Sequence, residues 1–176
     1  MSTIVISGLS GTGKTTIARK LAKKLGIDYF SVTDLFRDIY PRDKELERII
    51  KIWREYKITK ATQLKIENSQ IQVAKRGNVV IDGEIAIYVL RRVPSFKIWL
   101  TAEESIRVER IAKRDGFGIE EARTILAKKE RYESEFFRKF YGIKLNILDT
   151  YADFTIDTSF LPTEEIINKI IRVMPK

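Results

Sequence analysis

The sequence predicts an α/β fold in which a five-stranded parallel sheet is flanked by helices. Three observations support this prediction: five short apolar runs alternate with longer segments of helical periodicity, glycines follow several of those segments, and no repeat or linker divides the chain. At 176 residues the chain is long enough to enclose a core of its own. We therefore expect a single domain over residues 1–176.

The strands are predicted where short runs are rich in β-branched or aromatic residues, at residues 3–7, 28–31, 79–81, 96–100 and 154–157. The third run is Val-Val-Ile without interruption, which is typical of a parallel strand covered on both faces. Because helical segments separate the strands, each connection is expected to cross over the sheet and return in the parallel direction.

The helices are predicted where apolar residues recur at helical spacing, at residues 15–25, 33–40, 43–56, 59–76, 101–114, 119–141 and 162–174. Thr33 and Asp34 are suited to cap the second helix, and Thr101 and Glu104 match a capping box at the start of the fifth. Glycines are expected to end four of these helices, at Gly26, Gly77, Gly116 and Gly142.

The composition narrows the chemistry that the protein can perform. Lys and Arg number 33 against 24 Asp and Glu, so the net charge is +9, and there is no His or Cys. The positive charge indicates an anionic partner: a nucleic acid, an acidic membrane surface or a polyphosphate. The absence of Cys and His excludes a disulfide scaffold, zinc held by Cys, and Ser-His-Asp, Cys-His or His-metal chemistry. Catalysis must therefore rest on carboxylates, Lys, Arg, hydroxyls, backbone amides or a hard metal ion.

The amino terminus lacks the basic segment of a signal peptide, and no apolar run approaches the length of a membrane span. We therefore expect a cytoplasmic protein with no membrane partner. We also expect a monomer.

A phosphate-binding motif lies between the first predicted strand and the first predicted helix. The segment Gly8-Leu-Ser-Gly-Thr-Gly-Lys-Thr15 matches the pattern G-x-x-x-x-G-K-[ST] in full. Glycines let consecutive backbone N–H groups point at a phosphate, and the positive end of the helix dipole adds to the attraction. Lys14 supplies a cation for the β- and γ-phosphates, and Thr15 supplies a hydroxyl ligand for Mg²⁺. The residues expected to bind ATP are Gly8, Leu9, Ser10, Gly11, Thr12, Gly13, Lys14, Thr15 and Thr16.

Segments beyond this motif resemble a known family. Residues 31–37, Ser-Val-Thr-Asp-Leu-Phe-Arg, resemble the segment after the second strand of nucleoside monophosphate kinases. The blocks that resemble archaeal-type cytidylate kinases, in order and approximate spacing, are residues 74–83, 97–100, 110–116, 141–143 and 156–159. The resemblance implies a P-loop kinase fold, a three-layer sandwich with one helical segment that binds the nucleoside monophosphate, about 33–76, and a lid, about 114–142.

The resemblance also implies roles for particular residues. Arg37, whose planar fork can bond two phosphate oxygens, is expected to hold the acceptor phosphate, with Thr33, Asp34 and Gly83 beside it. Asp82, at the end of the third strand, is expected to hold Mg²⁺ through water or to orient the phosphate loop. The implied reaction moves the γ-phosphoryl group of Mg-ATP onto CMP or dCMP, which gives ADP and CDP or dCDP.

Cations precede and fill the segment that the resemblance assigns to the lid. Arg107, Arg110 and Arg114 share one face of the fifth predicted helix through their i, i+3 and i+7 spacing. In the kinases that the chain resembles, this region folds over ATP, and its Arg residues neutralise the transferring phosphoryl group. We expect Arg110 and Arg114 to act in catalysis together with Lys14. Glutamates are interleaved with the later cations, for which a solvated helix laced with ion pairs is the favoured interpretation.

The chain departs from the family pattern near the expected acceptor site. The residue after Gly83 is Glu84, where the family has Arg, and Asn68-Ser69 stands in place of a polar basic pair. Glu in place of Arg reverses a charge. Either Arg91 or Arg92 therefore substitutes for the missing cation, or the acceptor differs.

Two alternative functions stay open at this point. The first is a kinase of the same architecture with another acceptor, AMP, UMP or a small metabolite; the shikimate type is disfavoured because no Asp-x-Asp follows the second strand and no Gly triplet follows the third. The second is a P-loop protein that acts on RNA or in ribosome assembly and uses the net charge of +9 for phosphate contacts. The kinase interpretation, which we favour, predicts ATP and a nucleoside monophosphate as partners and no nucleic acid.

Overall fold

Strands and helices alternate along the chain in the computed structural model, which describes residues 3–39 and 60–175, with side chains over 3–35 and 61–175. The strands are β1 Ile4–Gly8, β2 Asp28–Ser31, β3 Val79–Asp82, β4 Phe96–Thr101 and β5 Phe154–Asp157. The helices are α1 Lys14–Leu25, α2 Val32–Ile39, α3 Lys60–Arg76, α4 Ala86–Val89, α5 Glu104–Asp115, α6 Ile119–Tyr141 and α7 Thr163–Val173, with a 3₁₀ helix at Leu145–Tyr151.

All five strands are parallel, and their order across the sheet is β2-β3-β1-β4-β5. β1 is the central strand, with β3 on one side and β4 on the other. After β1 the chain forms β2 and β3 on one side of that strand and then crosses to form β4 and β5 on the other. The direction of winding therefore changes at β1. Ligands of open parallel sheets bind outside the carboxyl ends of the strands at such a point. The predicted five-stranded parallel sheet is confirmed, and the loop after β1 lies at its ligand-binding edge.

Alternate residues of the central strands face opposite layers of helices. Ile4, Ile6 and Ile98 pack with α1 and α7, whereas Val5 and Ile81 pack with α3, α4 and the end of α6. A separate apolar cluster joins α5 to the first half of α6. α6 is therefore attached to α5 at its start and to the sheet near its end, and its middle passes beside the carboxyl edge.

The start of α2 differs from the prediction. The helix begins at Val32, so Thr33 and Asp34 lie within its first turn and do not cap it. The Ser31 hydroxyl accepts a hydrogen bond from the Asp34 N–H at 3.3 Å instead. Ser31 ends β2 and caps α2 at once, which leaves no linker between the strand and the helix.

The start of α5 also differs, because the predicted capping box does not form. Thr101 is the last residue of β4, and the helix begins at Glu104. The Ser159 hydroxyl accepts a hydrogen bond from the Glu103 N–H at 2.8 Å. The start of α5 is thus pinned by the loop after β5 and not by a neighbour in sequence.

The other predicted boundaries agree with the described structure to within one or two residues. α4 and the 3₁₀ helix were not predicted, since each is too short for apolar periodicity to reveal it. The predicted helix over 43–56 lies outside the described residues. Across the described ranges, no helix combines the length with the apolar character that crossing a membrane requires.

Candidate active site

The loop between β1 and α1 curls tightly at the carboxyl edge of the sheet. Gly11 and Gly13 have φ angles of 83° and 90°, in the left-handed region that favours glycine. The Thr12 hydroxyl donates a hydrogen bond to the Leu9 carbonyl at 2.8 Å, which closes the turn. α1 begins directly at Lys14, and the first amides of a helix have no intrahelical acceptors. The loop therefore has the form of an anion-binding cradle.

A cavity of about 450 Å³ opens beside this loop and is lined by several distant parts of the chain. Ser10 to Ile17 of the loop and α1 form one wall. Side chains from other elements complete the lining, among them Thr33, Glu84, Arg110, Arg114, Lys129 and Thr158. Leu9 packs its side chain against the core and offers its carbonyl to the loop. The structure thus brings seven of the nine predicted ATP-binding residues, Ser10 to Thr16, to one cavity.

Lys14 is held close to the loop backbone. Its Nζ donates a hydrogen bond to the Leu9 carbonyl at 2.9 Å. Burial lowers the pKa of Lys14, and the charge of the Glu84 carboxylate is the largest effect that opposes this shift. The ammonium group is therefore fixed beside the loop amides, in position to meet phosphate oxygens.

Asp82 ends β3 with a buried carboxylate that two hydroxyls orient. The Tyr29 hydroxyl donates to one carboxylate oxygen at 2.8 Å, and the Ser31 hydroxyl donates to the other at 3.2 Å. Each oxygen retains a second lone pair for a metal-bound water. Mg²⁺ takes oxygen ligands and is usually bound through one or two protein groups together with phosphates and water. The oxygens of Thr15 and Asp82 are of the type that Mg²⁺ takes: Thr15 lines the cavity, and the buried Asp82 is near enough to raise the pKa of Lys14.

Two arginines of α5 bond to the backbone of the phosphate loop. Arg107 is buried; it donates to the Ser10 carbonyl at 3.1 Å and pairs with Glu130 of α6 at 2.5 Å. Arg110 donates to the Gly11 carbonyl at 3.3 Å and to the Thr158 carbonyl at 2.6 Å. Both residues thus tie α5 to the loop. Sequence reasoning placed Arg107 on the right helix face but did not include it among the site residues.

Arg114 differs from these two arginines in its surroundings. It forms two hydrogen bonds of 2.8 Å to the Asp115 carboxylate, and its side chain is 41% exposed at the cavity. Its position therefore leaves it accessible to a nucleotide, whereas Arg110 is engaged with carbonyl groups. The catalytic roles expected for Arg110 and Arg114 stay predictions.

A buried ionic cluster forms another part of the cavity wall, and sequence reasoning did not find it. The Lys129 Nζ of α6 lies 2.8 Å from the Glu84 carboxylate and 2.5 Å from the Glu133 carboxylate. Burial raises the pKa of Glu84, but the charges of Lys129 and Lys14 lower it by more, so the pKa lies below its ordinary value. Burial lowers the pKa of Lys129, and the two carboxylates raise it by more. The partner of Glu84 is therefore a lysine from α6.

The remaining predicted residues near the acceptor are only partly described. Thr33 lines the cavity, Asp34 pairs with Arg19 at 3.2 Å, and Gly83 follows Asp82 at the same edge. Arg37 lies on α2, but its side chain is outside the described residues.

Arg91 and Arg92 do not replace the missing cation beside Glu84 in the described structure. Arg91 lies over the Tyr88 ring, 4.0 Å from its centre, and both arginines line a separate cavity. Of the two alternatives that the sequence left open, the described residues thus do not support a replacement by Arg91 or Arg92. The cause is the short helix α4, which was not predicted and which carries the chain away from the phosphate loop before Arg91.

The raised pKa of Glu133 makes the stability of the fold depend on pH. Burial and the Glu84 charge raise the pKa of Glu133 to about 8, against the opposing Lys129 ammonium; Lys14 is a further charge within reach. Folded Glu133 keeps a proton that the unfolded chain releases near the ordinary glutamate value. Stability is therefore expected to fall as the pH rises from about 5 to about 8 and then to level off. Glu133→Gln, which stays neutral, is expected to remove this decline.

Urea unfolding at about pH 5.5 and about pH 8.5 tests this expectation. Since one unit of pKa corresponds to about 1.4 kcal/mol, the variant should gain at least about 1 kcal/mol on wild type between the two conditions. Glu135→Gln on the exposed face of α6 is the matched control and should keep the wild-type slope. Equal slopes for Glu133→Gln and wild type would show that the Glu133 pKa is not raised.

The phosphate loop at the edge of a parallel sheet, faced by α5 and α6, defines a P-loop protein with the fold of small kinases. Solved structures share this fold: a shikimate kinase from Bacteroides thetaiotaomicron has a TM-score of 0.64 at 17% identity and covers 98% of this chain and 97% of its own. A gluconokinase from Sinorhizobium meliloti has a TM-score of 0.64 at 18% identity, with 97% and 90% covered. At such identities the likeness concerns the fold.

Sequence comparison identifies the family within that class. Residues 3–160 match the cytidylate kinase-like family. The cytidylate kinase of Pyrococcus abyssi is 35% identical over 157 residues, which cover 89% of this chain and 84% of that one. The cytidylate kinase of Ignicoccus hospitalis is 31% identical over 175 residues, 99% of both chains. The chain belongs to the cytidylate kinase-like family, and the resemblance noted in the sequence is confirmed.

Proposed function

We propose that this protein is a cytidylate kinase that transfers the γ-phosphoryl group of ATP to CMP or dCMP. The observation that carries the proposal is the match of residues 3–160 to the cytidylate kinase-like family around an intact phosphate loop. Membership of that family makes the chain an ATP-dependent phosphotransferase. The pyrimidine acceptor is the finer part of the proposal, since Glu84 lies where a cation was expected.

The reaction proceeds without a general base. A phosphate oxygen of the acceptor, which is already ionised, forms a bond to the γ-phosphorus of ATP. The bond from that phosphorus to the oxygen bridging the β- and γ-phosphates breaks, and ADP leaves with its electron pair. This chemistry accounts for catalysis by a chain that has no His.

The residues at the cavity serve this transfer by position and charge. The loop amides and Lys14 hold the β- and γ-phosphates, and Arg114 approaches the transferring group from α5. Thr15 and Asp82 would hold Mg²⁺, which supplies positive charge to the phosphates when bound. Arg110 keeps the loop in shape through its carbonyl contacts.

Two segments of the chain are assigned to acceptor binding and to closure of the site in this proposal. The acceptor segment, about 33–76, includes Thr33 at the cavity and Arg37 on α2. The lid, about 114–142, contains α6, which passes beside the phosphate loop. Closure of the lid over both nucleotides would exclude water and so prevent hydrolysis of ATP.

A panel of acceptors tests the proposal. Purified protein with Mg-ATP is supplied with CMP, dCMP, UMP, AMP, GMP or shikimate, and ADP release is measured. CMP and dCMP are expected to give the highest turnover, of about 1–100 per second, as is usual for kinases. Cytidine, which lacks the acceptor phosphate, is the matched control and should give background release. Background release with every monophosphate would contradict the kinase proposal, and preference for AMP would contradict the pyrimidine acceptor.

A further inference from the structure

The cluster of Glu84, Lys129 and Glu133 interrupts an otherwise apolar face of α6. The buried residues of this helix follow helical spacing and are Ala122, Leu126, Lys129, Glu133 and Phe137. Charged groups at such positions are costly to bury unless they are paired. Lys129 pairs with Glu133 on the same helix and with Glu84, which lies two residues after β3.

Stability does not explain why the cluster is present. Removing ions from water costs several kcal/mol per ion, and replacing a buried ion cluster with apolar residues is often neutral or stabilising. The pairing also depends on a proton: across the described ranges, Glu84 Oε1 and Glu133 Oε2 have no other buried partner, and a hydrogen bond between the two carboxyl groups lowers the pKa of Glu84 and raises that of Glu133. A costly cluster at the wall of a phosphate-binding cavity indicates a role in the reaction.

Lys129 is directed to the cavity that contains the phosphate loop. It lines that cavity together with Glu84, Lys14 and Arg114, although its side chain is only 1% exposed. Its charge helps to lower the pKa of Lys14, so the two ammonium groups are within electrostatic reach of each other.

Neighbouring cations of α6 have different surroundings. Arg123 is 44% exposed and pairs with Glu104 and Glu120 on the surface. Arg131 is exposed and lies over the Tyr132 ring. Lys129 is thus set apart from these cations by burial and by its position at the cavity.

The hydrogen-bonding capacity of Lys129 fits a further ligand. An ammonium group has three N–H donors in a roughly tetrahedral arrangement. Within the described structure two of them are used, one for Glu84 and one for Glu133. One donor remains for an oxygen in the cavity.

We propose that Lys129 binds a phosphate oxygen of the reacting nucleotides and that Glu84 is the positioning residue that holds its ammonium group in the cavity. This inference rests on the proposed function. Glu84 lies two residues after β3, so the sheet sets its position, while Lys129 lies on α6, whose first half packs against α5. The ion pair therefore joins the lid helix to the edge of the sheet at the point where phosphate transfer takes place.

Three variants test this assignment, with kcat and KM measured on the preferred monophosphate. Lys129→Met keeps the length of the side chain and removes its charge; kcat should fall about 100-fold with KM changed less than about threefold. Glu84→Gln removes the positioning charge and should lower kcat about tenfold. Lys128→Met, on the exposed neighbour, is the control and should stay within about twofold of wild type.

An exchange of the two charges separates positioning from a structural role. Glu84→Lys alone and Lys129→Glu alone should each lower kcat more than about 100-fold, because each leaves like charges together in a buried site. The double variant restores the pair and again places an ammonium at the cavity. Its kcat should exceed that of either single variant by at least about tenfold, as expected for coupled residues.

Urea unfolding of each variant shows whether it is folded, and kcat is compared only among folded variants. The proposal is overturned if folded Lys129→Met keeps kcat within about threefold, or if the double variant regains wild-type stability without regaining kcat. Where Lys129→Met does not fold, the double variant decides, and Glu84→Gln decides if neither folds.

A failure of the proposed kinase function can be distinguished from a failure of the Lys129 assignment. Inactivity of wild type on every monophosphate contradicts the kinase activity itself. Calorimetric titration with ATP then tests Lys129: binding at least about fivefold weaker in Lys129→Met supports the phosphate contact, and equal binding rejects it.

Discussion

Lys14→Met is expected to abolish phosphoryl transfer while the fold is retained. The Lys14 ammonium is fixed beside the loop amides by its hydrogen bond to the Leu9 carbonyl at 2.9 Å. Methionine has similar length but no charge and no donor, so it cannot balance the negative charge of the β- and γ-phosphates. We expect kcat to fall at least about 1000-fold, in line with the loss of a preorganised electrostatic contact. ADP release with Mg-ATP and CMP measures the effect.

The same substitution should cost little stability. Burial lowers the pKa of Lys14, so folding disfavours its charge, and loss of that charge should change the free energy of unfolding by less than about 1 kcal/mol. Lys23→Met, on the exposed face of α1, is the matched control and should keep wild-type turnover. Turnover of folded Lys14→Met within about tenfold of wild type would contradict the assignment of the phosphate loop.

Gly8→Ala is expected to destabilise the whole fold. Gly8 has a φ of 151°, and a Cβ atom added there would lie 2.4 Å from the carbonyl oxygen of Leu100 on β4. That oxygen belongs to the backbone of the adjacent central strand and cannot move without disturbing the sheet. We expect the free energy of unfolding to fall by at least about 3 kcal/mol, since clash and backbone strain act together. Urea unfolding followed by circular dichroism measures the loss.

Gly118→Ala provides the comparison for this result. Gly118 precedes α6 with a φ of −66°, and a Cβ atom there meets nothing within 4 Å. The same chemical change should therefore cost less than about 1 kcal/mol, the usual range for an N-cap position. A similar loss for Gly8→Ala and Gly118→Ala would rule out the close approach to β4 as the cause.

The sheet and the phosphate loop were predictable because local patterns encode them. β2 and β5 have the predicted bounds, and α6 begins and ends at the predicted residues. β-Branched runs, helical periodicity and terminal glycines each act within a few residues. The motif at Gly8 to Thr15 likewise requires only a strand before it and a helix after it.

The errors at helix starts have a different origin. The Ser159 hydroxyl, which accepts a hydrogen bond from the Glu103 N–H before α5, is 56 residues away in sequence from Glu103. A capping pattern at Thr101 satisfied every local rule, yet β4 extends to that residue because it pairs with β5. Pairing across the sheet thus overrode the local preference.

The burial of the ionic cluster was not predicted from the sequence. Lys129 and Glu133 belong to a stretch rich in both signs of charge, which favoured a solvated helix as its interpretation. The available signal was their register with Ala122, Leu126 and Phe137 on one stripe. Only the position of Glu84 at the end of β3 shows why that stripe can contain charges.

The sequence alone was sufficient to determine the class of fold, the phosphate loop and the family, because each depends on patterns that lie within short segments. The tertiary structure decided which charges meet: Arg107 and Arg110 bond to the loop backbone, and Lys129 reaches the cavity through Glu84. The physical reason is that a charge is placed by its partners and its burial, and those are set by elements that are distant in the chain.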